Sequence, residues 1–287
     1  MSTLLSKHNI ITQKSELNLK IFCTNLRSVA SHHDDLLLFM QQSKLRRYDI
    51  LALTETWIPE ENVRLYPITG YKPFIQPRTD GRRSGGVMLY IRENLKIIEC
   101  REIKISTANI LHLRLRIDSN TVPQYVSIDD AVSLLVVYRD WKWPVPKFLG
   151  DLESLLESFE HNKNALLIGD INIDILDIKE SSSYLNLMSS HGFDSIQNLP
   201  TRGDSCLDHV FVRKDQLKIC AKLLETKITD HSTISIDITS ESLYGNNSEV
   251  KEVKILNEKK FVENLRRVDW SWVDEIEKKK IETEILK

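Results

Sequence analysis

Asn164–Asp174, NALLIGDINID, is the stretch whose reading decides the fold. Ala165 to Ile168 is a short apolar run with no polar residue to give it a solvent face. Such a run is a strand covered on both sides. It stops abruptly at Gly169, and two polar groups follow, Asp170 and Asn172. The same design recurs along the chain. Tyr48–Thr54 (YDILALT) is a buried strand that ends at Glu55. Val132–Tyr138 is apolar almost throughout, like a central strand, and ends at Tyr138. Lys20–Thr24 is a short apolar run followed by Asn25. Asp208 sits inside CLDHVFV, and Asp230 and His231 precede STISI.

Other strands are predicted at Gly86–Arg92, Lys96–Cys100, Leu207–Val212 and Ser232–Asp237. Leu111, Leu113, Leu115 and Ile117 alternate with His112, Arg114 and Arg116, the period of two of a half-buried strand. Helices are expected over Asp34–Arg46, with Leu36, Phe39 and Met40 on one face, and over Phe148–Phe159. A third is expected over Ser181–His191, with Gly192 as its cap. Ile58–Arg83, rich in Pro, Gly and Arg, reads as a loop. Several strands follow one another without an intervening helix. That favours an α/β (α+β) arrangement of two stacked mixed β-sheets with helices outside, over a doubly wound parallel sheet.

The chain has 287 residues, 41% hydrophobic and 28% charged, with a net charge of -2. This is ordinary globular composition and lacks the basic excess common in nucleic-acid binders. A metal site consumes carboxylates, so a local basic rim is compatible with the total. Four cysteines, Cys23, Cys100, Cys206 and Cys220, form no CxxC pair and show no zinc spacing. They are expected to be reduced thiols of an intracellular protein. No run approaches the roughly 18 apolar residues of a membrane span, and no signal-peptide core opens the chain. The organisation expected is a polar lead-in over 1–19, a main domain over 20–240, and a Lys/Glu-rich linker or helical extension over 241–287.

An Asp or Glu at a strand end is usually a turn or cap residue, and a lone His before a strand is usually satisfied by hydrogen bonds. Here eight such groups recur at strand ends: Asn25, Glu55, Tyr138, Asp170, Asn172, Asp208, Asp230 and His231. Strand ends at one edge of a sandwich converge on one surface. Carboxylates, carboxamides, a phenol and an imidazole together suit a hard cation, a phosphate and an activated water.

The strings that carry these groups resemble a known family. TETW (Thr54–Trp57) is similar to the metal-binding glutamate motif of the exonuclease–endonuclease–phosphatase superfamily. GDINID (Gly169–Asp174) resembles its Gly-Asp-x-Asn signature, SCLDHVFV (Ser205–Val212) its Asp-bearing penultimate strand, and TDHSTI (Thr229–Ile234) its closing motif. They occur in the family's order over roughly residues 20–237. TNLRSV (Thr24–Val29), RRSGGVMLYI (Arg82–Ile91) and NLPTR (Asn198–Arg202) resemble the apurinic-endonuclease-like endonuclease of non-LTR retrotransposons. FVENLRRVDW (Phe261–Trp270) resembles the spacer before their reverse transcriptase. The family's Tyr-Arg-Pro-Pro becomes YRDW (Tyr138–Trp141), which leaves the shape of that loop open.

The resemblance implies a DNase I-like four-layer sandwich and a Mg²⁺- or Mn²⁺-dependent endonuclease that nicks DNA. Glu55, with Asp230, would hold the metal. Asp170 would orient or deprotonate the attacking water, and Asn25 and Asn172 would position phosphate. Asp208 would orient His231, and Tyr138 would stabilise phosphate or the leaving oxygen. Arg82, Arg83, Arg139, Thr201 and Arg202 are candidate DNA contacts, with Trp141 and Trp143 as stacking groups. The expected partners are DNA and a reverse transcriptase not on this chain, so an isolated module acting in the nucleus is expected. The alternatives are a phosphatase, phosphodiesterase or RNA nuclease of the same fold, an abasic-site repair enzyme, and a domain that binds DNA or protein without cutting.

Overall fold

Side-chain alternation sets the layers. The structure, a computed structural model, describes residues 18–42, 48–78, 84–116, 131–159, 162–214 and 217–240. Strand β1 (Asn18–Asn25) runs parallel to β2 (Ile50–Thr54). The latter pairs antiparallel with β4 (Val87–Arg92), which carries β3 (Tyr71–Gln76) on its outer edge. On the other side of β1 lie β12 (Thr233–Ser240) and then β11 (Leu217–Leu224), completing a six-stranded mixed sheet. The second six-stranded sheet has β5 (Ile97–Lys104), β6 (Ala108–Arg116), β7 (Ala131–Arg139), β8 (Ala165–Asp170), β10 (Asp208–Arg213) and the short β9 (Asp194–Ser195) in spatial order. Its β7–β8 pair is parallel and its other pairs are antiparallel.

Every second residue of each central strand faces the other sheet. Ile21, Cys23, Ile50, Ala52, Leu89, Leu134, Val136, Leu166, Ile168, Val210 and Ile236 meet there in one apolar cluster. The alternate residues face outward. Phe22, Leu51 and Leu53 are covered with Leu36 of α1 (Val29–Gln42). Leu135 and Leu167 are covered by Phe148 and Leu152 of α2 (Val145–Glu157) and by Tyr184 and Met188 of α3 (Ile178–Ser190). The layers are therefore helix, sheet, sheet, helices: the DNase I-like four-layer sandwich.

The structure corrects several boundaries. Ile58–Arg83 is not all loop. It contains a 3₁₀ turn (Glu60–Leu65) and β3, where Pro73 is tolerated because the strand lies at the sheet edge. Strand β11 was not expected at all. Its outward positions Lys218, Cys220 and Lys222 leave little apolar signal. Helix α1 starts at Val29, five residues before Asp34, where Ser28 Oγ accepts the Ser31 N–H at 3.2 Å. Helix α3 starts at Ile178, capped by Asp177, whose carboxylate accepts from Lys179 N and Glu180 N. The four cysteines are free thiols, as expected. Arg82, Arg83, Arg46, Ile117, most of the lead-in and all of 241–287, spacer included, lie outside the described residues. Among the described residues, no helix is long and apolar enough to cross a membrane.

Candidate active site

The pocket is the polar end of the apolar gap between the sheets. Tyr138 continues the inward series Leu134 and Val136, Asp170 continues Leu166 and Ile168, and Asp208 precedes Val210 and Val212. The strand register places Tyr138 beside Asp170 and Asp170 beside Asp208, three neighbours in a row across one sheet. From the facing sheet, Asn25 continues the series Ile21 and Cys23. One-residue slips in any of these strands would turn its polar group out of the pocket.

Asn25 joins the two sheets. Its Nδ2 donates to Asp170 Oδ2 at 2.7 Å and to Glu55 Oε1 at 3.0 Å. Trp57 Nε1 donates to the other Glu55 oxygen at 3.1 Å, and Asn172 N to Asp170 Oδ1 at 3.1 Å. His231 Nδ1 lies 2.7 Å from Asp208 Oδ2. A carboxylate partner at Nδ1 makes that nitrogen the donor and leaves Nε2 for substrate. Ligand atoms of Asp170, Asp208 and His231 lie within 4.8 Å of one another. Six of the eight expected groups are thus linked here: Asn25, Glu55, Asp170, Asn172, Asp208 and His231. Tyr138 stands beside Asp170 in register.

Asp230 is placed differently. Its two oxygens face Arg27 Nη1 at 2.8 Å and Arg202 Nε at 2.9 Å, and no described carboxylate ligand cluster includes it. The cluster able to hold a metal, Asp170, Asp208 and His231, contains neither Glu55 nor Asp230 of the expected pair, and Glu55 is joined to it through Asn25. Asp208 Oδ1 is buried with no hydrogen-bond partner. A buried carboxylate oxygen left bare is costly unless a cation completes it, so this donor set fits a divalent ion.

Burial pushes the Asp170 carboxyl well above the ordinary carboxylate range. The neighbouring Asp208 and Glu55 charges reinforce the shift, while His231 and Asn25 oppose it. For His231, burial is the largest influence and disfavours the charged ring. The hydrogen bond to Asp208 and the Asp208, Asp170 and Asp230 charges together outweigh it and raise the value. Burial, then Glu55 and Asp170, keep the Tyr138 phenol protonated.

The local backbone is strained where the chemistry sits. Arg27, Glu55, Trp57 and Asn172 hold φ values of 47°, 51°, 57° and 52°, in the left-handed region. Gly169 has φ 127°, and a Cβ there would lie 2.1 Å from Val137 O, so the residue before Asp170 must be glycine.

Arg139, expected at DNA, is instead buried at 3% exposure. It donates to Ile171 O, Asn172 O and Trp143 O and lies over the Phe148 ring. Thr201 is also buried, and its Oγ1 accepts from Leu207 N and Asp208 N, both at 3.0 Å. Both residues brace the pocket from behind. Arg202 is exposed. Trp141 is 66% exposed, three residues past Tyr138, while Trp143 lies under Lys147 Nζ at 3.9 Å.

Sequence reasoning missed Thr229, whose Oγ1 donates to Asn25 O at 2.9 Å and accepts His231 N. It also missed the buried Arg78–Asp140 ion pair, which ties the segment after β3 to the end of β7. The unexpected Asp of YRDW was the available signal for that pair.

The chain belongs to the endonuclease/exonuclease/phosphatase family, whose sequence pattern matches residues 24–231 and so takes in all of these pocket residues. Its members hydrolyse phosphoester bonds. No curated protein matches the chain in sequence. Among solved structures it is similar to the endonuclease domain of TRAS1, a telomere-specific non-LTR retrotransposon. That match has TM-score 0.55 and 11% identity over 78% of this chain and 100% of that one. It is similar also to D. rerio TDP2 complexed with a single-strand DNA product, with TM-score 0.56, 14% identity and 77% and 98% coverage. A mannosyl-6-phosphatase from Bacteroides thetaiotaomicron matches with TM-score 0.54, 13% identity and 77% and 99% coverage. Identities this low speak to the fold alone.

Proposed function

We propose that the protein is a divalent-metal-dependent endonuclease that nicks DNA, of the kind that opens a target site for a non-LTR retrotransposon. The observation that carries the reading is the single Asn25 amide donating to both Glu55 and Asp170, next to the Asp208–His231 pair. The DNA-nicking branch is supported by TNLRSV and NLPTR, which hold Arg27 and Arg202 at the rim of the pocket. On this reading its setting is the nucleus and its partners are DNA and a reverse transcriptase.

Glu55, the least buried of the pocket carboxylates, would hold Mg²⁺ or Mn²⁺ together with Asp208, whose Oδ1 has no hydrogen-bond partner. When bound, the ion neutralises phosphoryl oxygens and lowers the pKa of water. The chain's own groups do the rest. Asp170, fixed by Asn25 Nδ2 and Asn172 N, takes the proton of the attacking water. The protonated His231 ring, held by Asp208, donates Nε2–H to the scissile phosphate. Tyr138, kept neutral, donates its hydroxyl to a phosphate oxygen or to the departing oxygen.

The test is nicking of supercoiled plasmid. Wild-type protein is expected to nick with Mg²⁺, to stop on EDTA and to resume when Mg²⁺ is returned. Asp170→Ala and His231→Ala should each lose at least about 100-fold, the usual scale for removing a proton-transfer group, with unchanged circular dichroism. Full activity in either variant overturns the roles. Phosphate release from a soluble sugar or inositol phosphate without plasmid nicking replaces the endonuclease with a phosphatase.

A further inference from the structure

Asp230 sits between two guanidiniums. Arg27 Nη1 is 2.8 Å from Oδ1 and Arg202 Nε is 2.9 Å from Oδ2, with all three side chains 42–44% exposed. Each member is rooted in the pocket. Arg27 follows Asn25 by two residues, and its N–H donates to Asn25 Oδ1 at 3.1 Å. Arg202 follows Thr201, whose hydroxyl holds the Asp208 N–H, and bridges back to Ser205. Asp230 precedes His231, and Ser232 N donates to Thr201 O at 2.7 Å, which locks the Arg202 and Asp230 turns together.

An exposed ion pair adds little to stability, whereas a left-handed arginine at position 27 costs energy. Structural reinforcement is therefore a poor account of the arrangement. Its geometry suits anion recognition. A carboxylate and a phosphodiester each offer two anionic oxygens to guanidinium N–H groups. Two other observations favour a substrate phosphate as the second occupant: the exposure of the pair and its place at the rim.

We propose that Arg27 and Arg202 form a subsite for a backbone phosphate neighbouring the scissile one. Asp230 holds the empty subsite in shape as an anionic stand-in that the phosphate displaces. The proposal rests on the reading of DNA as substrate. It makes Asp230 a positioning residue, not a metal ligand, and makes the pocket selective for polynucleotides over lone phosphomonoesters.

Binding of a fluorescent oligonucleotide by the full chain in EDTA, over a salt series, tests this without turnover. Wild-type protein should bind with a clear salt dependence. Arg27→Gln and Arg202→Gln should each weaken binding several-fold and flatten the plot of log affinity against log salt by about one unit, one phosphate contact each. Arg27→Lys should recover part of the loss. Asp230→Asn should tighten binding several-fold, because the competing carboxylate is gone. If wild-type protein binds no oligonucleotide, the DNA reading itself fails. If it binds and the glutamine variants match it in affinity and slope, the subsite is overturned. Weaker binding by Asp230→Asn overturns the stand-in role and makes Asp230 a structural prop.

Discussion

Asn25 fixes how near two carboxylates of opposite sheets can stay. One amide nitrogen donates to both, so Glu55 and Asp170 are held as acceptors around a shared donor. Asn25→Asp removes that donor and adds a fourth carboxylate to the pocket of Glu55, Asp170 and Asp208. It is expected to cut plasmid nicking by at least about 100-fold, while Asn25→Ser should lose less, which a nicking time course would show. Gly169 sets the position of Asp170 sterically. Gly169→Ala brings a methyl 2.1 Å from Val137 O in a left-handed backbone and should cost more than about 2 kcal/mol. A urea midpoint unchanged from wild type would contradict this. At this scale the sequence was readable wherever an apolar run stopped at a polar group, as at Asn25, Asp170 and Asp208. It pointed to Thr201 and Arg139 as DNA contacts and to Thr229 only as the start of a motif, and gave no sign of the backbone groups that they hold. Their partners are backbone groups of distant loops, and no spacing announces them.

Elements covered on both faces were legible, because β2, β7 and β8 are short runs with no polar face. Edge elements were not. Strands β3 and β11 carry Pro73 or alternating lysines, and their neighbours, not their own residues, make them strands. The same lack of neighbour information hid the Arg78–Asp140 pair. Its side chains are 9% and 8% exposed, and Arg78 Nη1 also donates to Ser84 O at 2.9 Å. Asp140 further caps its own turn through Lys142 N at 3.1 Å. Asp140 stands at the first proline position of the Tyr-Arg-Pro-Pro string that YRDW resembles, and its ion pair with Arg78 joins that segment to the residues after β3. Asp140→Asn removes the anion that faces the Arg78 guanidinium and should destabilise by about 2 kcal/mol. Arg78→Met combined with Asp140→Asn should recover part of that loss. Equal stability of the single and double variants in urea would show that the charges are not coupled.

Across the whole molecule, the charges of the pocket oppose the closing of the two sheets. Asp170 and Asp208 lie almost fully buried at one end of an otherwise apolar gap, with His231 as the close cationic partner among the described residues. Burial and the adjacent carboxylates raise the Asp170 value in the folded chain. A carboxyl raised above its unfolded value near about 3.9 binds more proton when folded, so stability falls as pH climbs from there to the folded value. His231 is raised too, by Asp208 and the carboxylates around it against the pull of burial. The stability it contributes is complete below about pH 6.5 and is lost as pH rises through its folded value. Both groups act in the same direction, so the metal-free protein should melt at lower temperature at about pH 8 than at about pH 6. A divalent ion on these carboxylates supplies the missing positive charge and is bound best when they are ionised. Mg²⁺ or Mn²⁺ should therefore raise the melting temperature more at the higher pH, by the equivalent of about 2.7 kcal/mol at a hundredfold excess over Kd. Thermal melts in EDTA and in saturating metal at the two pH values measure this. A melting temperature indifferent to pH in EDTA, or a metal effect equal at both, would mean that the pocket carboxylates are not the groups that bind the ion.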